Sequence, residues 1–159
     1  MENLLVALFA VVDAELWSVA TLVEWVDARI SEREDSPSWL LELSLCKTSE
    51  TAEACLSRAL VDAQRMLPED YGDLLAGCIV LRGERVGVTK PDLVGQLFDV
   101  CDSYDGVGGL EVSQLGALLE AGDDAIANAW PELDAALMPL RSRAEREDQR
   151  LLEPTGSVD

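Results

Sequence analysis

The pattern that identifies the fold class is clearest in residues 4–30, LLVALFAVVDAELWSVATLVEWVDARI. Its apolar side chains recur at steps of three or four residues, as they do on one face of an amphipathic helix. Residues 1–3 carry no positive charge and the first apolar run is too short to span a bilayer, so we expect neither a signal peptide nor a membrane anchor. The apolar face consists of Leu5, Leu8, Val12, Leu16, Val19, Val23, Val26 and Ile30.

The same periodicity continues along almost the whole chain. It predicts an all-α fold, a compact single-domain bundle of about seven or eight helices with short connections. Residues 1–152 are predicted to form this one helical domain and residues 153–159 a flexible C-terminal tail. A stacked array of helical repeats is the alternative, but no self-similar period supports it.

Capping residues and first-turn prolines predict where helices begin. Residues 3–33 form either one long helix or two that meet near Asp13, which could cap the second. Thr89 and Asp92 have the spacing of a capping box, with Asp in place of the usual Glu. The other predicted starts are Ser36 with Pro37, Ser49, Pro68, and Asp123 or Asp124.

Glycine and proline predict the helix ends in the second half of the chain. Gly122 is expected to end a short helix. Pro131 is expected to start a fresh segment and Pro139 to kink or interrupt it, because proline lacks the amide hydrogen that a helix interior needs. A charged helix from Arg141 to about Leu152 should follow.

Composition excludes several classes of function. The chain has 159 residues, a formal charge of −19 and no histidine. Without histidine it lacks the usual side chain for proton transfer near neutral pH, the Ser-His and Cys-His nucleophile pairs, and every His-containing metal site. Nucleic acids and anionic lipids recruit clustered Lys or Arg, which a chain of this charge does not offer. We therefore expect no enzyme, no cofactor, and no nucleic-acid or membrane partner.

The cysteines indicate a reducing compartment. They contain no Cys-x-x-Cys pair of the kind that binds zinc or runs thiol redox chemistry, and each lies in an apolar stretch. Free cysteine packs there as a small hydrophobic residue. Reduced core thiols in a cytoplasmic protein are the favoured interpretation for Cys46, Cys55, Cys78 and Cys101.

The negative charge is concentrated in residues 91–140, which we call the acidic segment. It carries ten acids and no base, whereas residues 29–90 carry eleven acids and eight bases. Asp99, Asp102 and Asp105 follow one another near the end of a predicted helix, where the macrodipole favours cations. This arrangement opposes helix stability, and residues that break a local rule without visible compensation are candidates for function.

Three interpretations of these acids compete. A calcium loop that places Asp105 and Gly106 at positions five and six of an EF-hand puts Cys101, Ser103 and Val112 where oxygen ligands are required, so the match fails. A catalytic carboxylate pair would need something to position a substrate, and no motif supplies it. The third interpretation is that the acids form an exposed surface. This surface is either a solvated acidic face, which large net charge alone can explain, or a docking surface for a basic partner.

Aromatic residues bear on that last choice. Trp25 and Trp39 fall on or beside apolar stripes and are predicted to pack in the core. Trp130 and Tyr104 lie in the acidic segment, where an aromatic anchor among acids suits an Arg- or Lys-rich protein face. The predicted partner-binding residues are Asp99, Asp102, Tyr104, Asp105, Glu111, Glu120, Asp123, Asp124 and Trp130.

One stretch carries a resemblance to known proteins. Residues 25–45, with Trp25-Val-Asp27-Ala-Arg-Ile30 and then Pro37-Ser-Trp39-Leu-Leu-Glu42-Leu-Ser44-Leu, resemble a stretch of small, acidic, helical bacterial proteins. Some proteins of that kind are immunity partners of secreted toxins. The resemblance covers about an eighth of the chain and contains no catalytic motif. It implies a binding function and says nothing about the acidic segment.

Together these observations predict a non-catalytic, cytoplasmic binding protein. Its most specific form is an immunity-type inhibitor that docks residues 91–140 on a basic face of a toxin or another cationic partner. The alternative is a structural or assembly subunit that forms a homo-oligomer through the apolar face of the first helix. A carboxylate-metal enzyme is a third possibility.

Overall fold

A computed structural model describes residues 2–32 and 34–153, and these contain eight helices and no β-strand. The all-α prediction is confirmed. The predicted tail, residues 153–159, lies outside the described residues except for Glu153. None of the helices in this part of the chain has the length and apolar character that a bilayer span requires. The helices are α1 Glu2–Asp13, α2 Val19–Ser31, α3 Ser38–Leu43, α4 Ser49–Asp62, α5 Tyr71–Val86, α6 Lys90–Tyr104, α7 Val112–Ala121 and α8 Asp123–Leu152.

The chain divides into two compact units. Unit 1 contains Met1–Pro68 and Asp148–Asp159, and unit 2 contains Glu69–Glu147. In unit 1, α1 packs on α4, and α3 contacts both α2 and α4. In unit 2, α5 packs on α6, and α6 packs on α7. The single domain expected over residues 1–152 stays a prediction.

Two helices, α1 and α2, replace one long helix in this part of the chain, which agrees with the second sequence alternative, but Asp13 does not cap α2. Ser18 does so, because its side chain accepts a hydrogen bond from the backbone N–H of Thr21 at 3.1 Å. The chain turns between the helices at Glu15, which has a left-handed φ of 53°. A serine hydroxyl next to the first turn satisfies an amide that has no partner within the helix.

The starts of α4 and α6 follow the capping rules, whereas α3, α5 and α7 begin without a side-chain cap, and α5 begins at Tyr71 rather than at the predicted Pro68. Thr48 and Thr51 form a reciprocal capping box at the start of α4, which confirms the prediction near Ser49. Thr89 caps α6 as predicted, and its hydroxyl also donates to the Asp92 carboxylate at 2.6 Å. The short helix α3 begins one residue after Pro37 without a side-chain cap, so the predicted cap at Ser36 is wrong.

The end of α8 is held in unit 1 by two tryptophans. Trp17 Nε1 donates to Asp148 Oδ1 at 2.6 Å, and Trp25 Nε1 donates to the backbone carbonyl of Leu151, also at 2.6 Å. Both indoles are buried, and their ring centroids lie 6.2 Å apart. Burial of Trp25 confirms its predicted core position, whereas Trp39 is half-buried.

Arg29 completes this attachment. Its guanidinium donates to the carbonyls of Leu151 at 3.2 Å and Glu153 at 2.7 Å, and it lies over the Trp25 ring at 4.9 Å from the centroid. These carbonyls are among the last of α8, which have no partner within the helix and attract cations. A buried arginine is therefore stabilised here by a helix C-terminus and an aromatic face.

Close helix packing in unit 2 depends on glycine. A Cβ built on Gly77 of α5 would clash with the backbone carbonyl oxygen of Leu140 and lie 2.7 Å from its carbonyl carbon. A Cβ on Gly72 would lie 2.7 Å from Cβ of Tyr104. Since backbone atoms cannot move aside like a flexible side chain, Gly77 lets α5 and α8 cross at short distance.

Helix α8 runs without interruption through Pro131 and Pro139, so both predicted breaks are wrong. Each proline leaves the carbonyl four residues earlier without its helical donor. Those carbonyls belong to Ala127 and Ala135, and all four residues are exposed. Water can therefore replace the missing donors, and the apolar residues of the opposite face continue to pack.

Three of the four cysteines are buried, which confirms the core prediction for Cys55, Cys78 and Cys101. Cys46 is half-buried, and all four are free thiols.

Candidate functional site

Helix ends in unit 2 carry the acids that the sequence singled out. Asp99 and Asp102 lie three residues apart on α6, and Asp105 is its C-terminal capping residue. We call Asp99, Asp102 and Asp105 the α6 triplet. All three side chains are exposed, and positions i and i+3 of a helix share a face.

The α6 triplet is placed against the helix macrodipole. The carbonyls at the end of α6 carry partial negative charge, and the last turn contains no basic residue. Asp105 also occupies left-handed backbone, with φ at 57°. The predicted cost of this negative charge to helix stability stays a prediction.

The other predicted acids divide into two groups. Asp123 and Asp124 lie in the first turn of α8, and Glu111 precedes α7, so helix N-termini stabilise these three charges. Glu120 lies in the last turn of α7, where the dipole opposes it. All four are exposed. A structural role explains the first three acids but neither Glu120 nor the α6 triplet.

The loop between α6 and α7 is fixed in place by a hydrogen bond to α5 and by two buried side chains. Asp73 of α5 accepts a hydrogen bond from the backbone N–H of Gly108 at 2.7 Å. Val107 and Leu110 are buried and form an isolated antiparallel bridge. Gly108 has a left-handed φ of 56° and leaves no room for a side chain next to Leu140. This anchoring fixes the positions from which Asp105 and Glu111 leave the loop.

None of the seven predicted acids forms an ion pair within the described part of the chain. Two arginines of unit 2, Arg141 and Arg143, bind other groups. Arg141 pairs with Glu84 at 2.7 Å, and this hydrogen bond raises the pKa of the Arg141 guanidinium. Arg143 pairs with Asp70 at 2.8 Å. The seven predicted acids therefore have no paired basic side chain in the described structure, just as the acidic segment contains none in its sequence.

The two predicted aromatic anchors already have partners within unit 2. Lys90 Nζ lies 5.0 Å from the ring centroid of Trp130, in a cation–π contact. The Tyr104 ring packs at 5.5 Å from that of Tyr71, and 37% of Tyr104 is exposed. Lys90 stands one residue outside the acidic segment, so counting charges along the segment missed it. A partner cation would need the other face of Trp130, and the anchor role of both rings stays a prediction.

Asp92 is an exposed acid that the site prediction omitted. It lies seven residues before Asp99, so the two carboxylates are two turns apart on one side of α6, with Gly95 between them. An open depression follows this side of the helix, lined by Val86, Thr89, Asp92, Gly95, Gln96 and Asp99. The capping spacing had assigned Asp92 to the helix start, which concealed its position beside Asp99.

No group of three His, Cys, Asp or Glu side chains among the described residues is arranged so that it could hold a metal ion. Cys101, which the failed calcium alignment placed at the first ligand position, is fully buried. Burial raises the pKa of its thiol, which opposes the thiolate form that binds metals.

A second acidic cluster lies in unit 1. Glu53 of α4 is half-buried, and burial raises the pKa of its carboxyl, with further contributions from Asp13, Glu15 and Glu50. These residues come from α1, the turn after it, and the start of α4. The cluster is a local cost of packing α1 on α4, and the charge partition did not reveal it.

The apolar face of α1, on which the assembly alternative depends, is covered by the chain itself. Leu5, Leu8, Val11 and Val12 are each at most 7% exposed. The strongly exposed large apolar residues of the described chain lie elsewhere, with Leu45, Val61, Met66 and Val86 each at least 67% exposed. No observation therefore favours a homo-oligomer through this helix.

Comparison with protein families, with curated proteins and with solved structures finds no match to this chain.

Proposed function

We propose that this chain is a non-catalytic, acidic protein-binding protein that docks the α6 triplet and its neighbours on a basic face of a partner protein. Immunity-type inhibition of a toxin is the most specific form of the proposal. The observation that carries it is the placement of three exposed acids, without any ion pair, at the C-terminal end of α6.

A basic partner would relieve two unfavourable terms at once. Its Lys or Arg side chains would neutralise the crowded carboxylates and would approach the negative end of the α6 macrodipole. Within the described chain the α6 triplet forms no ion pair, so a partner would supply the first cations in direct contact with it. Each cation that reaches one of these acids therefore contributes as an exposed ion pair does.

The depression beside α6 suits such contacts. Asp92 and Asp99 flank Gly95, a residue with open space around it, and Val86 is 67% exposed at one wall. An arginine or lysine can lay its apolar stem along Val86 and Gly95 while its charged head reaches a carboxylate. This arrangement supports recognition of a protein face and provides no group for covalent chemistry.

Affinity capture from the native host tests the proposal. Wild-type chain on a resin is compared with the triplet variant (Asp99→Asn, Asp102→Asn, Asp105→Asn) and with a charge-matched control. The control changes three exposed unit 1 acids that have no ion pair in the described chain, Glu24→Gln, Asp27→Asn and Asp62→Asn. Both variants lose the same charge, so a difference between them reports position.

We expect wild type and control to retain one basic protein that salt elutes, and the triplet variant to lose it. Exposed ion pairs contribute about 0.2–1 kcal/mol each, so three correspond to roughly 3- to 100-fold in affinity. Equal retention by all three chains would contradict the proposed surface. Equal loss by both variants would mean that net charge alone is recognised.

A further inference from the structure

Two cysteines of unit 1 that are nine residues apart in sequence lie next to each other in the fold. Cys46 follows α3, is half-buried, and donates from Sγ to the Glu42 carbonyl at 3.6 Å. Cys55 lies in α4, is 3% exposed, and donates from Sγ to the Trp39 carbonyl, also at 3.6 Å.

The carbonyls that the two thiols contact are themselves neighbours. Trp39 and Glu42 are three residues apart in α3, so their carbonyls are separated by about 4.5 Å along the helix axis. The Cys46 side chain also interacts electrostatically with the Cys55 thiol. Both thiols therefore contact the same turn of α3, one from the segment that follows this helix and the other from α4.

We propose that Cys46 and Cys55 form an oxidation site, a dithiol that closes into an intramolecular disulfide when it meets a small-molecule disulfide such as oxidised glutathione. The sequence interpretation of both residues as inert core thiols is thereby replaced for this pair. Cys78 and Cys101 keep it, because both are fully buried.

The reaction proceeds by two thiol–disulfide exchanges. The accessible Cys46 thiolate attacks one sulfur of oxidised glutathione and releases the first reduced glutathione. The Cys55 thiolate then attacks the Cys46 sulfur of the mixed disulfide and releases the second. Two cysteine thiols are oxidised, one glutathione disulfide is reduced to two thiols, and the two protons of the cysteines end on the glutathione thiols.

The order of attack follows from exposure. An oxidant in solution reaches the half-buried Cys46 before the buried Cys55. Burial raises the pKa of the Cys55 thiol to about 11, so little thiolate is present at neutral pH. The second exchange is therefore slow near neutrality and accelerates as the pH rises toward that value. The resulting bond would tie the segment after α3 to the middle of α4.

Thiol counting on the full chain tests the proposal. The chain is incubated with excess oxidised glutathione at pH 8, quenched with acid and freed of glutathione. It is then unfolded in urea, treated with maleimide near neutral pH so that every remaining thiol reacts, and weighed by mass spectrometry. We expect two of the four thiols to disappear, with a mass lower by two hydrogens and a peptide that links Cys46 to Cys55. The rate of bond formation should rise several-fold for each unit of pH.

Two single variants separate the steps. Cys55→Ser should accumulate one glutathione adduct on Cys46, whereas Cys46→Ser should react little under the same conditions. Cys46→Ser changes a half-buried position, so it is the safer variant for folding. A wild-type chain that keeps four thiols, or that stops at a glutathione adduct, would overturn the proposal, as would a disulfide that includes Cys78 or Cys101.

Discussion

Neutralising the end of α6 should stabilise the protein. Asp102 lies in the last turn of the helix and Asp105 caps it, while neither side chain has a hydrogen bond or ion pair in the described chain. A charge opposed by the macrodipole costs about 0.3–1 kcal/mol at low ionic strength, so Asp102→Asn with Asp105→Asn should gain roughly 0.6–2 kcal/mol. Asparagine also tolerates the left-handed backbone of residue 105.

This gain can be measured by calorimetry and by urea unfolding followed by circular dichroism. For a chain of this length, about 2–4 °C of melting temperature corresponds to 1 kcal/mol, so we expect a rise of roughly 1–8 °C. The gain should largely vanish at 1 M salt, because the Debye length falls there to about 3 Å.

A single substitution elsewhere provides the control. Asp123→Asn removes the same kind of charge from the first turn of α8, where the macrodipole favours it, and should therefore lower stability. If both changes stabilise the protein equally, general relief of negative charge explains the effect. The helix macrodipole at the end of α6 would then not be the cause of the gain in stability.

Three further predictions concern packing and burial, and each is checked by urea unfolding. Gly77→Ala should cost about 1–3 kcal/mol because its Cβ meets backbone, whereas Gly95→Ala, with open space around it, should gain about 0.5–1 kcal/mol; equal effects would contradict the packing description. Glu53→Gln should be more stable than wild type at pH 7. The raised pKa of Glu53 means that its ionised form is disfavoured in the folded state, so the difference should shrink as the pH falls through the folded pKa and vanish below the usual value of 4.5. Asp148→Ala should cost about 1–3 kcal/mol because it leaves the buried Trp17 N–H without its acceptor, and Asp148→Asn should cost less.

The helical part of the fold could be predicted because its signals are local. Apolar residues at steps of three or four reveal a helix face, and Thr89 with Asp92 locates the start of α6. The two prolines of α8 misled the prediction, since proline breaks a helix only where the lost hydrogen bond cannot be replaced. That depends on whether Ala127 and Ala135 face solvent, which the local sequence does not determine.

Contacts between distant residues could not be predicted. Arg29 and Leu151 are 122 residues apart, and no spacing rule joins a buried arginine to the end of a helix. Lys90 over Trp130, 40 residues apart, was hidden for the same reason. The acids of the α6 triplet could be located from composition and periodicity, whereas their exposure and lack of ion pairs required the structure.

The most direct test of the central claim is the salt dependence of affinity for the captured partner. Dissociation constants are measured by calorimetry over a series of salt concentrations for wild type, the triplet variant and the unit 1 control. We predict a steep loss of affinity with salt for wild type and control, and a much shallower dependence for the triplet variant. Identical slopes for all three chains would show that the end of α6 does not meet the partner.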